Sequence, residues 1–171
     1  MELLDVVDEF GNKTGQVLER EKVHDLNLLH FEIAVFVINN KKEILLQKRD
    51  SSKRFDPDKW GLCAGHVESG EDIDEAAIRE IEEEIGIKVS LKDLHILEKM
   101  EVKKREKYSH ITRYYYIICN KNEFNIQKEE LSMVKWFNID KIVDMINNED
   151  ETLALKKDKI HLLLELKNIE V

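Results

Sequence analysis

Glu80, Glu83 and Glu84 lie close together in a stretch, Glu71 to Ile85, whose polar and apolar residues recur with a helical period. At 100° per residue the three carboxylates fall within about 100° of arc, while Ile78, Ile81 and Ile85 gather on another side. Like charges at three- and four-residue spacing repel by roughly a few tenths of a kcal/mol per pair, so a helix chosen for stability alone would place lysines among them. A divalent cation reverses the sign of that interaction. Hard ions such as Mg²⁺ take oxygen ligands, keep several waters and share their coordination with substrate phosphates. The chemistry implied is metal-assisted attack on an anionic substrate. Taken alone, the three acids are better explained as a solvated helix face.

Charge across the chain points the same way. Thirty-six acidic against 27 basic residues among 171 give a formal net charge of −9. That field repels phosphate backbones at long range, which argues against a nucleic-acid polymer as partner and requires a cationic bridge for any anionic substrate. An apolar content of 42% and a charged content of 37% exclude both a disordered chain and a membrane protein. The longest apolar runs, Ile33 to Ile38 and Tyr114 to Cys119, are far shorter than the roughly 20 residues of a bilayer helix, and the acidic start lacks the basic region of an export signal. Two cysteines, Cys63 and Cys119, form no CxxC and are expected as buried thiols of a cytoplasmic protein.

The elements that must position the acids follow from local pattern. Leu3 to Val7 and Thr14 to Leu18 flank a Glu9–Asn12 turn as a hairpin, and His24 to His30 is a connection. Phe31 to Ile38 and Glu43 to Lys48 are a strand pair, Asp50 to Asp58 a surface loop around the lone proline, and Trp60 to Cys63 a short strand leading to Gly65. Ser69, with Asp72 three residues on, has the form of an N-cap for helix 71–85, which Gly86 ends. Leu94 to Val102, Tyr114 to Cys119 and Val134 to Phe137 are expected strands, and Ile139 to Ile146 and Thr152 to Asn168 expected helices. No linker or repeat divides the chain, so residues 1–171 are expected to form one mixed α/β domain. The hairpin and the apolar residues of 152–168 offer a surface for a homodimer, with docking of that helix inside the chain as the simpler reading.

Gly65, Glu71, Arg79-Glu80-Ile81, Glu83-Glu84 and Gly86-Ile87 fit the pattern glycine, five residues, glutamate, seven residues, Arg-Glu-aliphatic, one residue, Glu-Glu, one residue, Gly-aliphatic. The chain here resembles the Nudix hydrolases, whose box is matched at every defined position. The chance of that match is on the order of 10⁻⁸ at ordinary residue frequencies and below about 10⁻⁵ for a glutamate-rich chain. The resemblance implies a Nudix α/β/α sandwich with a mixed sheet and a catalytic helix at about 71–85. It implies a pyrophosphohydrolase that cleaves the diphosphate of a nucleoside diphosphate-X or similar small substrate by metal-assisted water attack. In that family Mg²⁺ or Mn²⁺ is held by the carboxylates that correspond to Glu80, Glu83 and Glu84, with the carbonyl corresponding to Gly65. Arg79 and Glu71 then orient the ligands, and Glu80 is the favoured general base, with Glu123, Glu129 and Glu130 as later candidates. Phosphate contacts are expected from Arg49, Arg54, His66 and Arg113, and Lys53 is better explained by solvation. Phe55, Trp60, Tyr114, Tyr116, Trp136 and Phe137 are expected mainly in the core.

Leu3 through Arg49 also resembles the Nudix branch related to type I isopentenyl-diphosphate isomerase, which places a cysteine before its Gly-His, a glutamate in a later strand, and a metal among histidines and glutamates. Here Ala64 precedes Gly65-His66 and Cys63 stands one place too early, facing the opposite side of a strand. His24 and His30 are six apart where seven are expected, and Ile111 to Ile118 has no Glu-x-Glu. An isomerase is therefore the alternative to a hydrolase. A non-catalytic nucleotide sensor is a third reading, opposed by the intact box.

Overall fold

The computed structural model describes residues 2–171. A hairpin of β1 (Leu3–Val7) and β2 (Lys13–Glu19) opens it, followed by α1 (Arg20–Asp25). The main sheet comprises β3 (Phe31–Ile38), β4 (Glu43–Arg49), β5 (Trp60–Gly61), β6 (Cys63–His66), β7 (His95–Lys103), β8 (His110–Ile118) and β9 (Leu131–Asn138). Strand β3 runs parallel to β8 and antiparallel to β4 and β6, and β4 also pairs with β9. Since β3 and β4 are paired only at Val37↔Leu45 and Ile38↔Ile44, they splay beyond that point, and the gap is filled by β5 against β4 and β6 against β3.

Alternation assigns the two faces of β3. Ile33, Val35 and Val37 pack with Ala76, Ala77, Ile81 and Ile85 of α2 (Ile73–Ile85), whereas Ala34, Phe36 and Ile38 pack under α3 (Ile139–Asn147) and α4 (Ile160–Asn168). A mixed sheet between helices is the α/β/α sandwich. Leu162, Leu163 and Leu166 are buried in this layer, so α4 docks inside the chain, and Leu164 remains exposed.

Four local expectations are corrected. The N-cap of α2 is Asp72, whose side chain accepts from the Asp74 N–H at 2.8 Å, whereas Ser69 donates to Asp5 and ties the hairpin to the box loop. The 24–30 connection begins inside α1. The short strand expected at 60–63 is interrupted at Leu62, and its second part, β6, continues to His66. Residues 152–159 are irregular, with a single 3₁₀ turn at Lys157–Lys159, so the last helix starts only at Ile160. Gly86 does stop α2 in the left-handed region at φ 68°, and a Cβ there would meet the Asn125 backbone oxygen at 2.9 Å. Gly86→Ala should therefore lower unfolding stability by about 1–2 kcal/mol or more, read from denaturant midpoints.

Candidate active site

Asp74 and Glu75 occupy the positive first turn of α2, and burial of Ile81 and Ile85 against the sheet holds the following turns in place. That packing fixes where the acids point. Arg79 is the hub: its guanidinium donates to both oxygens of Glu71 at 2.8 and 2.9 Å, to Glu80 at 2.7 Å and to the His66 carbonyl at 3.0 Å. Its contact with Glu83 is the longest of these ion pairs, 3.3 Å, so Arg79 orients Glu71 and Glu80 more than the Glu83 expected from one-turn spacing. Glu83 is half exposed, whereas Glu84 is buried at 5% exposure.

Glu84 reaches through to the sheet. Its Oε2 accepts from Gln47 Nε2 at 2.6 Å and from the Ala64 N–H at 3.2 Å. Burial pushes its carboxyl up to about 7, against the pull of the Gln47 hydrogen bond. Glu80 is also raised, first by burial, with Arg79 opposing. Gly65 is required beside it, since a Cβ at this position falls on the Glu80 carboxyl. Glycine here lets the β6 backbone approach the acids directly. Cys63, on the same side, is buried and its thiol is pushed well up by burial and by Glu84. Cys119 is likewise a buried free thiol.

The next face of β6 carries a second centre. His24, His30 and His66 each place a ring nitrogen within 4.8 Å of the others. His24 Nε2 lies 3.2 Å from His66 Nε2, and His66 Nε2 lies 3.1 Å from the Tyr108 hydroxyl. Glu32, directly across from His66 in the β3–β6 register, accepts from Tyr108 and stands 3.5 Å from His66, 3.7 Å from His30 and 3.8 Å from His110. Burial would raise the Glu32 carboxyl, but the neighbouring His30, His110 and His66 hold it well below the usual range. Burial, with His66 and His30 adjacent, lowers His24 to about 4, so its ring is neutral at pH 7. The buried His30 Nε2 has no hydrogen-bond partner among the described residues.

This centre removes two sequence arguments. The six-residue separation of His24 and His30 does not keep them apart, because α1 and its Leu26–Leu29 exit bring both rings to His66. Strand β8 carries no carboxylate, and the acid at this centre is Glu32 of β3, registered with Thr112 on the neighbouring strand. Glu32, Tyr108 and Glu2, whose Oε1 is 3.1 Å from His66 Nδ1, were missed by sequence reasoning. The available signal was one acid in the otherwise apolar run Phe31 to Ile38.

The other expected contacts are dispersed. Arg49 donates to the Phe55 carbonyl and Arg54 lies over the Phe55 ring. Phe55 packs near His24 and Tyr108, so this loop covers the histidine centre. Arg113 is held by Asp74 at 3.2 Å and by the Lys99 carbonyl. Lys53 pairs with Glu130, while Glu123 and Glu129 are exposed. Trp60 packs edge-on against Phe137, as expected of core aromatics.

No helix is long and apolar enough to cross a membrane. The NUDIX domain family model matches residues 28–159. Isopentenyl-diphosphate Delta-isomerase 2 of Photorhabdus laumondii is 31% identical over 99% of this chain and 96% of its own length. An uncharacterized Nudix hydrolase of Nostoc sp. is 33% identical over 57% of this chain and 58% of its own. A crystal structure from Deinococcus radiodurans superposes with a TM-score of 0.75 at 21% identity, covering 96% of this chain and 99% of that one. With the box intact from Gly65 to Ile87 and the sandwich built around it, the chain belongs to the Nudix family.

Proposed function

We propose that residues 1–171 act as one domain, a divalent-metal-dependent hydrolase that cleaves a diphosphate linked to a small group X. The carrying observation is that Arg79, itself held by Glu71, ties Glu80 and Glu83 together at 2.7 and 3.3 Å on the edge of the helix that faces β6, where Glu80 lies against Gly65 and Glu84 accepts from the Ala64 N–H. This all-oxygen donor set suits Mg²⁺, or Mn²⁺, and gives the burial of Glu84 a purpose that packing does not. A bound ion supplies charge neutralisation on phosphate oxygens and acidifies a water. Glu80 is the base: burial raises its proton affinity, and it takes the proton as the water oxygen bonds to phosphorus and the P–O bond to the leaving phosphate breaks. Arg79 steadies Glu80 before and after the transfer. Two buried thiols suit a reducing cytoplasm.

A product-resolved assay with Mg²⁺ on nucleoside di- and triphosphates, nucleotide sugars, a coenzyme A ester and isopentenyl diphosphate tests this reading. Metal-dependent release of phosphate or a phosphomonoester supports it. Isomerised isopentenyl diphosphate without cleavage replaces it.

The second reading, an isomerase-like proton transfer, is favoured by the His24–His30–His66–Glu32 centre and by the identity across nearly the whole Photorhabdus isomerase. Against it, Ala64 offers no acid to a substrate and Cys63 faces Glu84. Under either reading the three imidazoles and Glu32 fit a borderline ion such as Zn²⁺, Co²⁺ or Mn²⁺, since His30 Nε2 is buried without a partner and His24 is neutral. Added Co²⁺ should give visible d–d absorption that saturates at one equivalent. His24→Ala combined with His66→Ala should abolish it, and persistence of the band would remove the assignment.

A further inference from the structure

The sheet face that carries the histidines continues, one rung on, into a cavity. Glu32, His66 and Thr112 share one rung of the β6–β3–β8 register, and Ala34, Ala64 and Tyr114 the next, about 7 Å along the strands. Ala64 is exposed, and its methyl with Ala34, Leu62, Ala154 and Leu155 forms an aliphatic floor for a space of about 180 Å³. The Ala64 peptide is the wall this space shares with the box, because its N–H donates to Glu84. The Leu62 carbonyl accepts from the same Gln47 amide that holds Glu84.

The rim is cationic in a chain of net charge −9. Lys159 is buried and spent on Glu101 at 2.6 and 2.7 Å, and Lys103 is spent on Asp158 at 2.9 Å. That pairs two of the four cations with two carboxylates. Arg105 and Lys156 remain on the rim, and no carboxylate lies within 4 Å of either among the described residues. Two cations without an ion-pair partner, of which Lys156 also donates to the Leu153 carbonyl at 3.3 Å, at the mouth of an aliphatic pocket select an anion on a short carbon body. Size and lining restrict it further. The volume is below the roughly 300 Å³ at which pockets for drug-sized ligands begin. Tyr114, the one aromatic in the lining, is 4% exposed, its hydroxyl donates to Glu101 and Lys159 lies 4.9 Å from its ring centre. No free aromatic face remains for a nucleobase.

We propose that this cavity is a binding site for a compact, non-aromatic aliphatic ligand bearing an anionic group, phosphate ester or carboxylate, held by Arg105 and Lys156. The assignment stands apart from the hydrolase reading and makes its own demand on binding. Calorimetric titrations of the metal-free protein with glycerol 3-phosphate, succinate and AMP address the pocket without any reaction. Glycerol 3-phosphate or succinate should bind, whichever is tighter naming the anion, and AMP should bind at least about tenfold more weakly than the better of them. Arg105→Ala with Lys156→Ala, both exposed, should weaken binding at least about tenfold, and Ala64→Leu should fill the floor and abolish it. Binding unaffected by the double variant, AMP bound as tightly, or no binding by any probe overturns the pocket assignment. None of these results touches metal-dependent cleavage. Conversely, loss of the hydrolase reading in the product assay leaves these titrations interpretable.

Discussion

Glu84→Gln should cut turnover by on the order of 10²–10³-fold and, in the same protein without metal, raise stability at pH 8. The two effects have one origin. Glu84 is buried at 5% exposure with its carboxyl raised from 4.5 to about 7, so the ionised form is disfavoured in the fold. A raised folded value means that stability from this group is fully present below pH 4.5 and lost as pH rises through 7. At pH 8 the deficit is on the order of a few kcal/mol. Glutamine keeps an oxygen for Gln47 and the Ala64 N–H while carrying no charge. Thermal melts in a chelator should show the variant close to wild type at pH 5 and several degrees above it at pH 8. Saturating Mg²⁺ should close or invert that gap, because only the carboxylate gains from the ion. A melting difference that is constant from pH 5 to 8, or full activity in the variant, would refute the assignment.

Gly65→Ala should separate activity from stability in a different way. A methyl at this position occupies the place of the Glu80 carboxyl, whose alternatives are to swing away or to push β6 off α2. The obstructing atoms are the far end of a flexible side chain, so the swing is the cheaper response, costing about 1 kcal/mol or less of stability. It also breaks the 2.7 Å pair with Arg79 and removes the proposed base from the water it must deprotonate. Turnover is expected to fall at least about 10²-fold while the melting temperature drops only a few degrees. Retained turnover would mean that Glu80 is not the base.

The strand pairs, the box helix and its Gly86 stop were legible because period and punctuation are local properties of sequence. The acids were legible for the same reason, since three- and four-residue spacing puts Glu80, Glu83 and Glu84 on one edge whatever surrounds the helix. The burial of Glu84 was not legible, since it depends on Gln47 arriving from β4. Nor was the histidine centre, which brings residues from α1, β3 and β6 together with Tyr108, 42 positions from His66. Counting residues between His24 and His30 misled because the exit of α1 absorbs the difference. The N-cap was displaced from Ser69 to Asp72 because the Ser69 hydroxyl has a tertiary partner in Asp5, which local pattern does not contain. Residues 152–159 read as helix from their leucines, yet Leu153 is bridged to Trp60 and Leu155 lines the cavity floor, both set by the sheet rather than by helical period.

Strand β6 is four residues long and serves a different neighbour with each face: Cys63 and Gly65 look toward the box helix, Ala64 and His66 toward the histidine centre and the cavity. Insertion or deletion of one residue just before it would exchange all four sides at once, carrying a thiol into the cavity and an imidazole against Glu80. Neither site can therefore drift in register without rewriting the other. In this chain a change of chemistry at this strand is open to point substitution at Ala64 but closed to slippage, so the two sites are locked to one register.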